Sequence, residues 1–302
     1  MLLNDVHSAI EELDLKFALC GSSSRKLRHA GVNLLAGRAL SLRMFPFLPE
    51  ELGSDFDLDE ALRFGTLPLI WAAKNKKPKL KAYAQTYLRE EVQAEALVRN
   101  LGDFARFLPV AALMHGQALN TASLARDAGV GRTTVQNYIE ILEDTQLANR
   151  LYPLESQYRV KEQKHPKFYW IDAGILRTLR NQWTEPSAAE RGALFEGFVA
   201  MVLRAYQSYR DLCDSLHYWA TGDVEVDFVL EKDGKRIAIE AKSGERVRKE
   251  DFSGLIQIAK LPGMTRRILI HPSETARSLE NGIEILPAKM LFEELKKGKL
   301  WV

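Results

Sequence analysis

The chain has 302 residues, 46% of them hydrophobic, and its 42 basic against 40 acidic residues leave a formal charge of +2. That is enough apolar material for more than one packed core, and no global field draws the chain to nucleic acid or an anionic surface; such binding has to come from local patches. Two cysteines, Cys20 and Cys213, each in an apolar stretch, exclude a disulfide framework and fit a reducing, cytoplasmic setting. The opening MLLNDVHSAIEELDL is acidic and amphipathic rather than a leader, and no apolar run approaches the ~20 residues that span a bilayer, so no membrane partner is expected.

Residues 1–47 read as a helix (Val6, Ile10, Leu13), then a buried strand over Lys16–Cys20 that stops at the polar loop Gly21 to Ser24, and a second short strand over Ala39 to Met44 before Pro46 and Pro49. Buried strands of this kind need neighbours, and two alone make an incomplete sheet, which invites pairing with a protein partner or a second copy. Residues 48–115 keep helical spacing, as in Leu80, Tyr83, Tyr87, Leu88 and Leu97, Leu101, Phe104, Phe107, Leu108. They predict an all-helical module, with Lys74, Lys76, Lys77, Lys79 and Lys81 in a solvated loop.

Residues 116–182 change rhythm. A helix over Thr121–Ala128, a Gly129-Val130-Gly131 turn, a helix over Arg132–Asp144 and strands near Leu147 to Leu154 and Lys167 to Ile171 follow the order of a winged helix-turn-helix. Val135, Ile139 and Leu142 form the inward stripe of the second helix. Arg132, Thr133, Gln136 and Asn137 are then left for base edges in DNA, while Arg159, Lys161, Lys164, His165 and Lys167 suit phosphates. Glu140, Glu143 and Asp144 carry the wrong sign for DNA at the far end of that helix, so a packing or protein-partner role stands beside DNA binding.

Residues 183–302 begin with a Pro- and Ser-containing linker, Gln182 to Ala189, and a helix over Ala189 to Tyr206. Strands near 216–220, 224–231 and 236–242, a helix near Lys249 to Leu261 and a strand at Arg266 to Ile270 follow. In VEVDFVLEKDGKRIAIEAK, Asp233-Gly234 is a favoured two-residue turn, which places Asp227 opposite Glu240 and Glu225 opposite Lys242 on one face. Val224, Val226, Phe228 and Leu230 with Ile237, Ile239 and Ala241 take the other, buried face. Opposed carboxylates, with Cβ atoms about 5 Å apart, repel unless a positive group sits between them. A magnesium ion held by Asp227 and Glu240 would remove the conflict, and Lys242 would stabilise charge on a phosphate or orient the attacking water. The bland alternative is a solvated hairpin face, and the six dispersed histidines support no zinc site.

With Asp227 as first carboxylate and Glu240-Ala241-Lys242 as a (D/E)xK element, this region resembles the PD-(D/E)xK nuclease superfamily. Val226 stands where the family has proline. Gly192-Ala193-Leu194-Phe195-Glu196 looks like that superfamily's first-helix motif, and the resemblance implies Glu196 as a further member of the metal site. Nearly the whole chain also resembles the C-terminal part of bacterial AAA-type ATP-binding proteins that carry domain of unknown function 4143. The matching stretches are Phe17 to Ser24, Leu34 to Arg38, Tyr83 to Val92 and Lys167 to Gly174. Neither a G-x-x-x-x-G-K-[ST] P-loop nor an acidic Walker B strand is present, so autonomous ATP hydrolysis is not expected, and ATP would belong only to a longer form. By that resemblance Ser22, Ser23 and Arg38 are remnants of a nucleotide sensor; the plainer alternative is a turn and a surface arginine.

The resulting expectation is an α/β and α multidomain chain: a partial AAA core remnant (1–47), a helical lid-like module (48–115), a winged helix (116–182) and a restriction-endonuclease-like α/β domain (183–302). The function expected is magnesium-dependent cleavage of DNA. The alternatives are a non-catalytic DNA- or protein-binding module, or a piece of a longer ATP-binding ATPase.

Overall fold

The computed structural model describes residues 2–21, 40, 42–87, 100–154, 165–244, 247–272 and 275–301. Its helices are α1 Leu2–Leu13, α2 Pro49–Leu52, α3 Leu58–Phe64, α4 Pro68–Trp71, α5 Lys76–Ala82, α6 Leu101–Ala112, α7 Thr121–Ala128, α8 Arg132–Asp144, α9 Ala173–Leu179, α10 Ala188–Arg210, α11 Ser253–Ile258 and α12 Ala288–Lys296. The strands are β1 Gln117–Ala118, β2 Ala148–Leu151, β3 Lys167–Trp170, β4 Ser215–Thr221, β5 Val224–Lys232, β6 Lys235–Ala241, β7 Met264–His271, β8 Arg277–Ser278 and β9 Ile283–Pro287.

The first expected strand does not form. Residues 14–21 join no strand among the described residues, and Leu15, Phe17 and Leu19 are exposed, because a strand without a neighbour leaves its backbone donors and acceptors to water. Of the second, Ala39 and Ser41 lie outside the described residues, while Leu40, Leu42 and Met44 are exposed and join no strand among the described residues. The lysine-rich stretch is no loop. It forms α5, with Lys76 paired to Glu60 at 2.8 Å and Lys77 and Lys81 over the Trp183 ring.

The two helices either side of Gly129 match their sequence-derived limits for physical reasons. Asn120 caps α7 by accepting the Ala122 and Ser123 N–H groups, and Gly129 closes it in the left-handed conformation. Behind α7 and α8, β1, β3 and β2 form a small antiparallel sheet in that order. The larger sheet runs β4-β5-β6-β7-β9-β8, antiparallel through β6 and parallel across β6, β7 and β9.

Both faces of the larger sheet are covered. Phe228, Leu230, Ile237, Ile239, Ile268 and Ile270 share one core with α10, α12, the small sheet and the helices before it. Val229, Ala238, Leu269 and Ile283 pack on the other side against Leu255 and Ile258 of α11. The long α10 is therefore apolar nearly all round, as expected of a helix enclosed by protein.

Three buried polar side chains join the segments. The Nδ1 of His115 accepts the Trp170 N–H at 3.1 Å, which leaves Nε2 to donate to the Ala193 carbonyl at 3.2 Å. Burial lowers the His115 pKa to about 4, so the ring stays neutral and holds this one tautomer. Asp172 caps α9 through the Ile175 N–H and accepts the Thr66 N–H from the preceding helical region. Arg177 donates to Glu190, to the Arg63 carbonyl and to the Thr184 carbonyl, tying α9, α3 and the start of α10 together.

The His115 ring fits only because residue 197 has no side chain; a Cβ there would overlap the imidazole. Gly197→Ala is expected to lose about 1–3 kcal/mol of stability despite its better helix propensity. Urea denaturation is the measurement, and an unchanged or raised midpoint would contradict this packing.

Candidate functional site

The site lies where β5 and β6 part company. From the Asp233-Gly234 turn their ladder runs from Lys232–Lys235 to Phe228–Ile239, in the register the turn dictates, and then stops. Beyond the last rung each strand satisfies a donor of the other with a carboxylate. The Asp227 N–H donates to Oε2 of Glu240 at 3.3 Å, and the Ala241 N–H donates to Oδ2 of Asp227 at 3.0 Å. Both acids therefore turn into the gap between the strands, and both are buried.

A register shift on the other edge of β5 helps to open this gap. Val229 pairs with His217 but Val226 pairs with Trp219, so Asp227 and Phe228 together oppose the single residue Tyr218. Such a bulge bends the strand and re-aims its side chains. It corrects two expectations: Val226 packs on the α11 side with Val229 instead of sharing a face with Phe228 and Leu230, and the supposedly polar face is buried at Val229 and Ala238. The Cβ-less Gly254 lets α11 lie against the backbone of β5 at Glu225, which holds the far side of the bulge in place.

Around the gap stand the other charged groups. Lys242 donates to Oε1 of Glu240 at 2.6 Å and is about one third exposed. Glu196 arrives from α10, and its Oε1 accepts from the Tyr169 hydroxyl at 2.6 Å and from Nζ of Lys167 at 2.9 Å. Lys167 also lies 3.3 Å from Oδ1 of Asp227 and pairs with Glu225. The structure thus brings Glu196, Asp227, Glu240 and Lys242 together.

It adds three residues that the sequence reading did not assign to the site: Lys167, Tyr169 and Glu225. Glu225 had been placed on the right hairpin face but left out of the chemistry. Lys167 is a correction, because its ammonium is buried among carboxylates instead of facing phosphates from a wing. The signal for it was the run Lys167-Phe168-Tyr169-Trp170, where a lysine opens a wholly apolar strand and needs a buried counter-charge.

Four carboxylates and two lysines meet here, so the negative charge is in excess if all are ionised. Burial, and then the charge of Asp227, raise Glu196 to about 7 and Glu240 to about 8, while Lys167 and Lys242 are held protonated above their ordinary value by the surrounding acids. The site holds protons or must take another cation.

In chemistry the donors suit a hard divalent ion, being buried carboxylate oxygens alone. In arrangement Lys167 stands between Glu196 and Asp227, and among the described residues no three acidic, histidine or cysteine side chains close on one point. This corrects the expectation that a metal alone relieves the Asp227–Glu240 repulsion: lysines and backbone N–H groups take part of that role.

Among the other expected site residues, Arg132, Thr133, Gln136 and Asn137 are all exposed along the first half of α8, while Val135, Tyr138, Ile139 and Leu142 are buried. None of the four makes a hydrogen bond or ion pair with the acidic cluster among the described residues. Ser22, Ser23 and Arg38 lie outside the described residues, as do Arg159, Lys161 and Lys164.

Comparison with known proteins divides the chain between residues 185 and 191, and the site draws on both sides of that boundary. Residues 191–291 match the family model "Domain of unknown function (DUF4143)". Residues 55–185 match "Domain of unknown function (DUF8612)". Glu196, Asp227, Glu240 and Lys242 fall in the first segment and Lys167 and Tyr169 in the second, so the cluster is assembled from both.

The uncharacterized proteins Rv2008c of Mycobacterium tuberculosis and Mb2031c of Mycobacterium bovis are each 26% identical over 286 residues, a match covering 92% of this chain and 63% of theirs. The chain thus spans less than two thirds of the length of these relatives. A crystal structure of protein VC1899 from Vibrio cholerae aligns over 74% of this chain and 55% of its own at 16% identity, with a TM-score of 0.25, too loose a superposition to carry an argument.

Two outcomes follow from the charge imbalance. Glu196 and Glu240 hold their protons more tightly in the fold than unfolded, so their contribution to stability is complete below about pH 4.5 and is lost as pH rises through about 7 and 8. The metal-free melting temperature should fall across that window, and Glu240→Gln should flatten the fall. Lys167→Met should cost about 3–5 kcal/mol without metal, because it strands buried carboxylates. Manganese should restore part of that loss, as read by calorimetry with and without the ion.

Proposed function

We propose that the segment from α10 onward is a nuclease-like module that hydrolyses phosphodiester bonds with a divalent metal, and that the preceding helix pair presents it to DNA as a winged helix-turn-helix. The observation that carries this reading is the reciprocal carboxylate-to-backbone bonding of Asp227 and Glu240 at the parting of β5 and β6, with Lys242 beside it. A surface hairpin has no reason to break its ladder and bury two acids at the break. The PD-(D/E)xK resemblance of Asp227, Glu240 and Lys242 points the same way.

On this reading Asp227 and Glu240 hold the ion, with Glu196 completing the set once Lys167 yields its position. The ion would supply charge stabilisation at the phosphate and a more acidic bound water. Tyr169 orients Glu196 through its hydroxyl hydrogen bond. Lys242, anchored on Glu240 and partly exposed, is placed to stabilise charge on an entering phosphate. The surrounding core keeps water from the inner carboxylate oxygens, which strengthens every charge interaction there.

A second reading, that of a binding module without chemistry, is favoured by one observation: Lys167 ion-pairs with Glu196, Glu225 and Asp227 and already occupies the centre of the acids. The AAA-type resemblance adds a third element to the proposal. Any ATP-dependent step belongs to a longer protein, since this sequence carries no P-loop, and the exposed Leu15, Phe17 and Leu19 are the surface we assign to a further α/β layer or a second copy.

The deciding experiment incubates the chain with plasmid, duplex and single-stranded DNA in magnesium or manganese. Cleavage is expected, with a loss of at least about 100-fold in Asp227→Ala and Lys242→Ala. Failure to cleave any of these substrates while manganese binding is intact would overturn the enzymatic reading in favour of the binding module. DNA affinity should fall by about 1–3 kcal/mol in Arg132→Ala or Gln136→Ala and weaken with salt. Binding indifferent to both substitutions would remove α8 from the interface.

A further inference from the structure

Away from the acidic cluster, a pocket of about 580 Å³ opens between the end of α8, β2 and α10, with Arg43 and Phe45 at its edge. That volume falls within the range of small-molecule sites. Three arginines line it, Arg43, Arg150 and Arg204, against two acids, Glu143 and Asp144. Glu143 is already committed, accepting both the backbone N–H and the guanidinium of Arg150.

Arg204 is different. It projects from α10, and its one hydrogen bond among the described residues runs from Nη2 to the Arg150 carbonyl at 2.6 Å; its Nε–H has no partner. No carboxylate lies within ion-pair distance of it or of Arg43 among the described residues. A guanidinium carries five N–H donors in a planar fork, and leaving a buried one unmet costs free energy unless an anion takes it up.

The neighbouring wall has a complementary deficit. Oδ1 of Asn149 is buried without a donor among the described residues, and the half-exposed Tyr152 carries the Arg150 guanidinium over its ring at 5.8 Å, an arginine–aromatic stack that a planar group can extend. An arginine with an unmet buried N–H and no ion pair among the described residues, an orphan amide acceptor and an arginine–aromatic stack describe a ligand with anionic oxygens at one end and a planar, N–H-bearing group at the other.

We propose that this pocket binds a phosphorylated small molecule of mononucleotide size, its phosphate held by Arg204 and Arg43 and its base set against Tyr152 and Asn149. Burial and the nearby Arg43 charge both press Arg204 toward losing its proton, a strain that a bound phosphate relieves. The pocket shares no residue with the carboxylate cluster, so it stands whether or not that cluster cleaves DNA.

The test is calorimetric titration of the full chain with inorganic phosphate, AMP and a ten-nucleotide single-stranded DNA, in chloride buffer of matched ionic strength. AMP should bind more tightly than phosphate. Arg43→Ala, which removes an exposed side chain that makes no ion pair among the described residues, should weaken AMP binding about tenfold, and Arg204→Met should abolish it. Glu240→Gln should leave it unchanged.

No heat from AMP or phosphate, or equal affinity in wild type and Arg43→Ala, would overturn the proposal. Binding of the oligonucleotide alone, lost in Arg43→Ala, would overturn it too, by making the pocket a strand-phosphate contact. If Arg204→Met does not fold, the Arg43→Ala comparison decides.

Discussion

One missing rung governs this protein. Between Phe228–Ile239 and the ends of β5 and β6, the backbone hydrogen bonds that a continuous hairpin would make are replaced by two carboxylates, each satisfying a donor on the opposite strand. The sheet is opened and the acids are buried by the same few bonds. Because a backbone N–H without a partner is costly inside protein, Asp227 and Glu240 cannot simply swing out to water. They are held in a low-dielectric gap, where their charge has to be answered locally.

Much of the surrounding architecture answers that charge. Lys242 follows directly on the end of the strand that carries Glu240, two residues on. Lys167 comes from the small sheet, across the core shared by both halves of the chain, and with Tyr169 it fastens Glu196 of α10 to the cluster. A change at the acids is therefore coupled to how α7, α8 and the small sheet pack, through β3. The neutral His115 and the buried Arg177 reinforce the same junction, using backbone carbonyls of α10 and of the linker before it.

The chain thereby presents three separated chemical surfaces: an acid-rich core site, a polar half-helix at Arg132, Thr133, Gln136 and Asn137, and an arginine-lined recess. Each has a distinct physical signature. The first carries carboxyls whose protons are held too tightly, the second exposed side chains on a helix anchored by a buried apolar stripe, and the third a guanidinium with too few partners. Net charge near neutrality conceals all three, because it averages opposite patches.

What was legible in the sequence is what is local. The caps and turn around α7 and α8, the Asp233-Gly234 hairpin and its register, and the grouping of Asp227, Glu240 and Lys242 all follow from periodicity and turn chemistry within a few residues. The tertiary structure alone decided what depends on residues far apart: the bulge opposite Tyr218, burial of the expected polar face under α11, and the arrival of Lys167 from β3, whereas Glu196 was expected only through the family resemblance. It also decided that the apolar run Lys16 to Cys20 makes no strand, since hydrophobicity signals burial, while a strand exists only where another strand offers its hydrogen bonds.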